Sequence, residues 1–318
     1  MEKTPMPLPD EFHELARSVN NWGRWGADDE IGTINFITPE KIRQAAQQVT
    51  TGKTFALSIP LSKDGIQTGL LPGRINPLRT MLDINRPMLG DPTLFCNTDD
   101  MVVMGLQSAT HWDGLAHVSY AGRMYNGYPI TSIDSDGASR CGIEKITTLV
   151  SRAVLLDVAT LKGVERLDPG YPISCADLDA AAEMAKVSVT SGDIVLVRTG
   201  QAGILDRKPL KPKDKAEYAK PCAGLTLETA RWFHQREVAA VAADNFSLEV
   251  YPGVPNSMFL PVHLIHIVEM GMTQGQNWYL EELAADCADD GRYSFFLDAT
   301  PQKFVGGVGT MVNPVAIK

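Results

Sequence analysis

Arg152-Ala-Val-Leu-Leu-Asp157-Val158 and Asp193-Ile-Val-Leu-Val-Arg-Thr199 are two short runs whose apolar residues are consecutive rather than alternate. A strand sends successive side chains to opposite faces, so an unbroken apolar run predicts a strand covered on both faces, as when helices lie on a sheet. Between them, Ser174-x-x-Asp177 has the spacing of a capping box and opens a helix through Met184. Thr226 to Glu237 predicts a second capped helix, and Val238 to Ala243 a strand directly after it. Strands alternating with helices make the fold class α/β.

Outward from this centre, Thr38-Pro39 is a helix start, with Thr as N-cap and Pro at the first helical position. That helix runs through Ile42, Ala45 and Ala46 and stops before Gly52, and Thr54 to Pro60 reads as a strand. A helix is expected over Pro261 to Met270, and the last strands over Phe295-Phe-Leu and Val312 to Ile317. There is no internal repeat, low-complexity tract or convincing linker. The expectation is one domain over residues 1–318, with long functional loops and an N-terminal arm over about residues 1–36.

The chain has 318 residues, 44% hydrophobic and 21% charged, which is ordinary for a globular protein. No stretch approaches the roughly 18 apolar residues of a membrane span. Met1 to Asp10 lacks the basic start and apolar run of a signal peptide, so no membrane association and a cytoplasmic location are expected. A net charge of −9 makes nucleic acid a poor partner, because phosphate binding rests on Lys and Arg. The one basic cluster, Arg207-Lys208-Pro-Leu-Lys211-Pro-Lys213-Asp-Lys215, reads as a solvated loop, with a lid or subunit contact as the lesser reading. Five cysteines without CxxC spacing argue against a disulfide framework or a Cys-type zinc site. Gly52-Lys53-Thr54 lacks the upstream Gly of a P-loop, and Gly306-Gly-Val-Gly309 has no helix after it to form a dinucleotide turn. No GxSxG elbow is present.

The chemistry-bearing segment is Gln107-Ser-Ala-Thr-His111-Trp-Asp113-Gly-Leu-Ala-His117. If Met101 to Asp113 is largely extended, Gln107, His111 and Asp113 share one face. An imidazole and a carboxylate two residues apart can then grip one cation, and imidazole with carboxylate suits zinc, manganese or iron. Gly114 lets the chain turn so that His117 returns. On spacing alone, a simple hydrogen-bonded His–Asp pair stays open. Trp112 and Leu115 are expected in the core. His263 and His266 neighbour each other at i and i+3 on the expected helix, where either can be a ligand or a core residue. Gln276-Asn277, with Glu281 and Glu282, lies in a polar stretch that can return to the same site.

These segments resemble the cyclase family of metal hydrolases, which includes bacterial kynurenine formamidase and isatin hydrolase. The likeness also runs through Trp22-Gly-Arg-Trp25-Gly, Gly32-Thr-Ile-Asn35, the two apolar strands and Gly306-Gly-Val-Gly-Thr-Met-Val-Asn313-Pro314. It implies a mixed, barrel-like sheet with flanking helices and a homo-oligomer, dimer or tetramer. It also implies that His111, Asp113 and His263 are metal ligands and that His117 is the acid/base. Two positions depart from the family pattern: Gln107 stands for its first His and Gln276 for the Glu of its Glu-Asn pair. Amides are neutral, and Asp113 is left as the one carboxylate of the aligned site, so one divalent ion, zinc or manganese, is expected rather than two. Gln107 would complete its ligands.

The resulting expectation is hydrolysis of an amide or ester carbonyl in a small molecule (a cyclic amide, formamide or lactone) by metal-activated water. Trp22, Trp25 and Trp112 are candidates for an aromatic wall and equally for the core. Arg24, Arg74 and Arg123 are unranked candidates for a substrate carboxylate, and Asp244-Asn245 and Glu249 can reach the site, a subunit contact or neither. A metal-dependent cyclase or lyase acting without net hydrolysis, and a metal-free binding relative, are the alternatives.

Overall fold

In the computed structural model, residues 8–206, 210–219, 221–253 and 259–318 are described. Residues 1–7 of the N-terminal arm, and Arg207 and Lys208 of the basic cluster, lie outside them. Eleven strands matter here: β1 (Thr54–Ala56), β2 (Leu78–Pro87), β3 (Cys96–Val103), β4 (His111–Asp113), β5 (Val150–Asp157), β6 (Ile194–Arg198), β7 (Ala240–Ala243), β8 (Gln274–Gln276), β9 (Ser294–Asp298), β10 (Gly309–Met311) and β11 (Val315–Ile317). Nine of them form one curled half-barrel sheet in the order β1-β11-β9-β5-β6-β7-β8-β4-β10. Strands β5 to β8 run parallel, and the pairings outside them are antiparallel.

The apolar runs explain the centre of this sheet. Val154 and Leu156 of β5, Val195 and Val197 of β6, and Val241 and Ala243 of β7 enter one core cluster with Phe233, Leu178 and the helix Asp10–Val19. Their alternates, Ala153, Leu155, Ile194, Leu196, Ala240 and Ala242, enter a second cluster on the other face with Trp112, Trp278 and Leu283. Two cores on two faces are what an unbroken apolar strand requires. Charged groups pin the strand ends: Arg198 Nη1 lies 3.0 Å from Asp157 Oδ1, and Lys41 and Arg152 each meet buried Asp193 at 2.5 Å.

Several helices have the expected starts. Thr38 accepts from Lys41 N at the head of Pro39–Ala46, and Ser174 with Asp177 forms a reciprocal capping box on Cys175–Met184. Others differ. Thr226–Glu237 shortens to Thr229–Gln235, with no side-chain cap. Pro261–Met270 is helical for only Pro261–His263 before it widens into a π-helix over Leu264–Glu269. Lys213 and Lys215 are not in a loop, because Pro212–Ala219 is an α-helix opened by its proline, with Lys211 just before it. Thr54–Pro60 keeps strand structure only to Ala56.

The largest departure is the antiparallel ribbon of β2 and β3, which pairs with no other strand among the described residues. It exposes Leu82, Ile84, Phe95 and Val102. Its return strand ends at Val103, so Met101–Asp113 is not one extended run: residues 104–110 turn before β4 begins. Among the described residues, no helix is long and apolar enough to cross a membrane.

Candidate metal centre

Strand β4 carries His111 and Asp113 on the same face and sits between β8 and β10. In register, His111 faces Gln276 and Met311, while Asp113 faces Gln274 and Gly309. Trp112 points the other way, fully buried, with its indole N–H on Ala299 O at 2.8 Å and its ring edge-on to Trp278 at 4.9 Å. Gly275 lets this stack close: a Cβ there would stand 2.5 Å from Trp278 Nε1 and 2.8 Å from Ala242 Cβ. The absence of that side chain keeps Gln274 and Gln276 tight against β4.

Three imidazoles converge on Asp113. His111 Nε2 lies 3.5 Å and His117 Nε2 3.4 Å from Oδ1, and His263 Nε2 lies 3.7 Å from Oδ2. Gln276 Nε2 donates to Oδ2 at 2.8 Å and stands 3.4 Å from His263 Nε2. His111 Nδ1 contacts Ala109 O at 2.7 Å; a carbonyl only accepts, so this nitrogen carries hydrogen and Nε2 is the ring nitrogen that faces Asp113. His263 is oriented the same way by Glu249, whose buried carboxylate receives Nδ1 and also the backbone N–H groups of Val262 at 3.1 Å and His263 at 3.0 Å. Thus one carboxylate fixes both the start of the Pro261 helix, which no N-cap side chain satisfies, and the tautomer of the imidazole.

Electrostatics follow from these contacts. Burial disfavours a charged Asp113, but His117, His111 and His263 together hold its carboxyl far below the ordinary range. Burial lowers His117 more than Asp113 raises it, so its imidazole is neutral at pH 7. Burial also opposes charge on His263, but Glu249 at Nδ1 outweighs it and the net shift is upward. Asp113 Oδ1 is buried and has no hydrogen-bond donor among the described residues.

A lone pair aimed at a carboxylate is repulsive unless a proton or a cation lies between them. Ligands about 2.0–2.1 Å from a tetrahedral cation stand roughly 3.3–3.4 Å apart. The His111 and His117 contacts to Oδ1 are close to that edge length. Among the described residues, no group of three or more His, Cys, Asp or Glu side chains is already arranged to hold a metal ion. The reason is visible in the contacts: the imidazoles are divided between the two oxygens of Asp113, with the Gln276 amide at the second one. The donor types, their buried lone pairs and the orphaned Oδ1 fit a divalent cation, with a small closure of the side chains. A ligating imidazole must be neutral, so cation uptake at His263 displaces a proton.

The cluster opens into a cavity of about 160 Å³, whose polar lining is Arg74, His111, Asp113, His117, Ser247, His263 and Gln276. Leu70, Leu71, Phe246, Tyr251, Phe259 and Leu260 supply the rest. His117, 21% exposed, is the imidazole of the cluster that reaches furthest towards this space. Gln107 is not in the lining; it sits in the turn before β4, its amide nitrogen 2.7 Å from where a Cβ on Gly309 would lie. Trp22 and Trp25 are not in the lining either. Trp22 Nε1 donates to Val268 O at 2.6 Å, and Trp25 packs edge-on to Phe36 at 5.0 Å. His266 is a core histidine against Phe233, pushed down to about 3 by burial. Asp244 accepts from the Thr199 and Gly200 backbones rather than entering the cavity, and Asn245 binds Ala223 O and Leu248 N. Glu249 does reach the cluster, through His263. Its signal was weak: one carboxylate ending an apolar run.

No curated protein matches this chain. The Cyclase family model matches residues 30–250. A crystal structure of a protein described as a novel cyclase is 39% identical, covers 95% of this chain and 99% of its own, and superposes with a TM-score of 0.86. Isatin hydrolase A from Labrenzia aggregata, bound to benzyl benzoate, is 16% identical over 86% of this chain and 94% of its own, with a TM-score of 0.59. A structure described as a potential metal-dependent hydrolase with cyclase activity is 15% identical over 83% of this chain and 98% of its own, with a TM-score of 0.50. The last two share the fold. The family match and the 39% identity carry the further conclusion that this chain belongs to the cyclase family.

Proposed function

We propose that this protein is a metal-dependent hydrolase that cleaves an amide or ester carbonyl of a small molecule, a cyclic amide, formamide or lactone. The observation that carries this reading is Asp113 Oδ1: a buried, ionised oxygen with no hydrogen-bond donor among the described residues, faced by two imidazole nitrogens at 3.4 and 3.5 Å. Relatives described as isatin hydrolase and as a metal-dependent hydrolase are consistent with it. His111, Asp113 and His263 would hold one zinc or manganese ion. Gln107 enters the ligand set only if its side chain swings from beside Gly309, the residue paired with Asp113. The neutral Gln276 amide beside both Asp113 Oδ2 and His263 Nε2 supports a single ion, because it adds no charge to balance a second.

A divalent cation held here supplies a Lewis acid and lowers the pKa of water to about 7 in favourable sites. The chain supplies the rest. His117, neutral at pH 7 and facing the cavity, accepts a proton at one ring nitrogen as water adds to the carbonyl, then returns it to the leaving nitrogen or oxygen. Glu249 holds His263 in its tautomer. Leu70, Leu71, Phe246 and Phe259 give the cavity an apolar side against which the body of a small substrate lies.

The reading is tested by metal analysis of protein purified without chelator, followed by mass spectrometry of products formed from lactams, formanilides and lactones in ¹⁸O-labelled water. About one equivalent of metal and one solvent oxygen per product are expected. Near-zero metal, with no activity restored by zinc or manganese, overturns it. Turnover without solvent oxygen assigns a cyclase or lyase instead.

The one-domain reading is supported by a single sheet drawing strands from Thr54 to Ile317. The homo-oligomer reading is supported by the apolar ribbon: Leu82, Ile84 and Phe95 are 60%, 70% and 55% exposed, more than an isolated surface explains.

A further inference from the structure

We propose that Arg74 is the anion-recognition residue of the cavity, and that the substrate is a carboxylate carried on a single-ring, apolar body. This rests on the hydrolase reading for the word substrate, while the anion site stands on its own geometry.

The three arginines that the sequence left unranked are separated by their partners. Arg24 is engaged by Glu237 and by Asn21 at 3.2 Å, with its guanidinium over Phe36. Arg123 Nη1 donates to Gly127 O at 2.8 Å. Neither lines the cavity. Arg74 does, and among the described residues its guanidinium forms no ion pair and no hydrogen bond. The charge it feels is Asp113, already occupied by three imidazoles and an amide. Burial disfavours an unpaired guanidinium, so its place in the cavity lining, with no partner among the described residues, favours an anionic ligand beside it.

The surroundings hold it there. Arg74 N donates to Leu71 O at 3.2 Å, and the next residue is tied across by Ser108 Oγ to Ile75 O at 2.6 Å. Gly105 opposes it, and a Cβ at that position would come 3.5 Å from Arg74 Cγ. The fork of a guanidinium matches the two oxygens of a carboxylate. Away from Arg74, Ser247 and the Asp113 cluster, the walls are aliphatic and aromatic. At about 160 Å³ the space is ring-sized, since an engineered apolar cavity of about 150 Å³ takes benzene. A ligand anchored at Arg74 has the Asp113 cluster within the same cavity to meet its carbonyl.

Benzoate and its neutral isostere benzamide test this by calorimetric titration of the protein as purified and after chelation, with wild type, Arg74→Met and Arg74→Lys. Wild type should bind benzoate at least about tenfold more tightly than benzamide. Arg74→Met should shrink that preference to within about twofold while leaving benzamide affinity unchanged, which also shows the cavity intact. Arg74→Lys should fall between. Absence of the preference in wild type, its survival in Arg74→Met, or its loss from wild type on chelation (the cation then holds the carboxylate) each overturns the assignment. The preference with no turnover of any carbonyl substrate removes hydrolysis and leaves the anion site standing. Turnover without the preference does the reverse.

Discussion

The central strands β5 to β7 and the ribbon β2–β3 are both aliphatic-rich, and their fates are opposite. Val195, Leu196 and Val197 are wholly buried, whereas Leu82, Ile84 and Val102 are 60%, 70% and 49% exposed. The aliphatic residues are of the same kinds in both; what differs is their cover. The central strands have core on both faces, while the ribbon pairs with no other strand among the described residues and enters neither core. An isolated two-stranded ribbon is marginal in water. We therefore read the sheet as stabilised within one chain and the ribbon as completed by a second copy. The contrast matters for function because β3 leads through the turn that holds Gln107 straight into β4, the strand of His111 and Asp113.

The sharpest way to break this comparison is at β4. Asp113→Ala removes the carboxylate shared by three imidazoles and should lower turnover about a thousandfold, with metal content falling too. Full activity in a metal-free variant would defeat the site. Next, Leu196→Ala in β6 should destabilise the fold by about 2–5 kcal/mol in urea unfolding, because the cavity is enclosed on all sides. A loss below about 1 kcal/mol would mean that the covered sheet relaxes as freely as the ribbon.

Smaller effects sharpen the contrast. His117 is held below its ordinary value by burial, so the form able to accept a proton dominates at pH 7. Its own limb of the kcat/KM profile should lie below about pH 6.5 and fall about tenfold per pH unit there, apart from any limb at about pH 7 that metal-bound water sets. Survival of the lower limb in His117→Ala would reject His117 as that group. The smallest effect on stability is expected in the ribbon: Leu82→Ser with Ile84→Ser should change unfolding of dilute protein by under about 0.5 kcal/mol. The same double variant should lower the mass measured by light scattering, and an unchanged mass would remove the ribbon as an interface.

What could be read in advance follows the same division. Strands β5 to β7 were legible because burial on both faces leaves an unbroken apolar run, and the Ser174–Asp177 box because its two hydrogen bonds need a fixed spacing. His111, Asp113 and His117 were legible because they lie within seven residues. His263 was singled out with His266 by helical spacing and Gln276 by its polar stretch, the family likeness then separated His263 from His266, and the structure brings His263 and Gln276 to Asp113. The ribbon was missed: Arg79, Asp83, Arg86, Asp99 and Asp100 interrupt its apolar residues, and with no buried face it has no period to detect. Trp22 and Trp25 were placed near substrate by residue type, yet their partners are Val268 and Phe36. Glu249 and Arg74 escaped ranking because their roles depend on what stands opposite them after chain reversal.

Gln276 reaches Asp113 across 163 residues of sequence, and His263 joins them from the same late segment. A cation held at this cluster is therefore a removable crosslink between the early and late parts of the chain. It closes a loop whose ends only the completed sheet brings together. Because such an ion binds the folded chain and not the open one, its concentration becomes a control on the lifetime of the whole molecule as well as on its chemistry. A chain short of residue 263 has half of this crosslink and none of that protection.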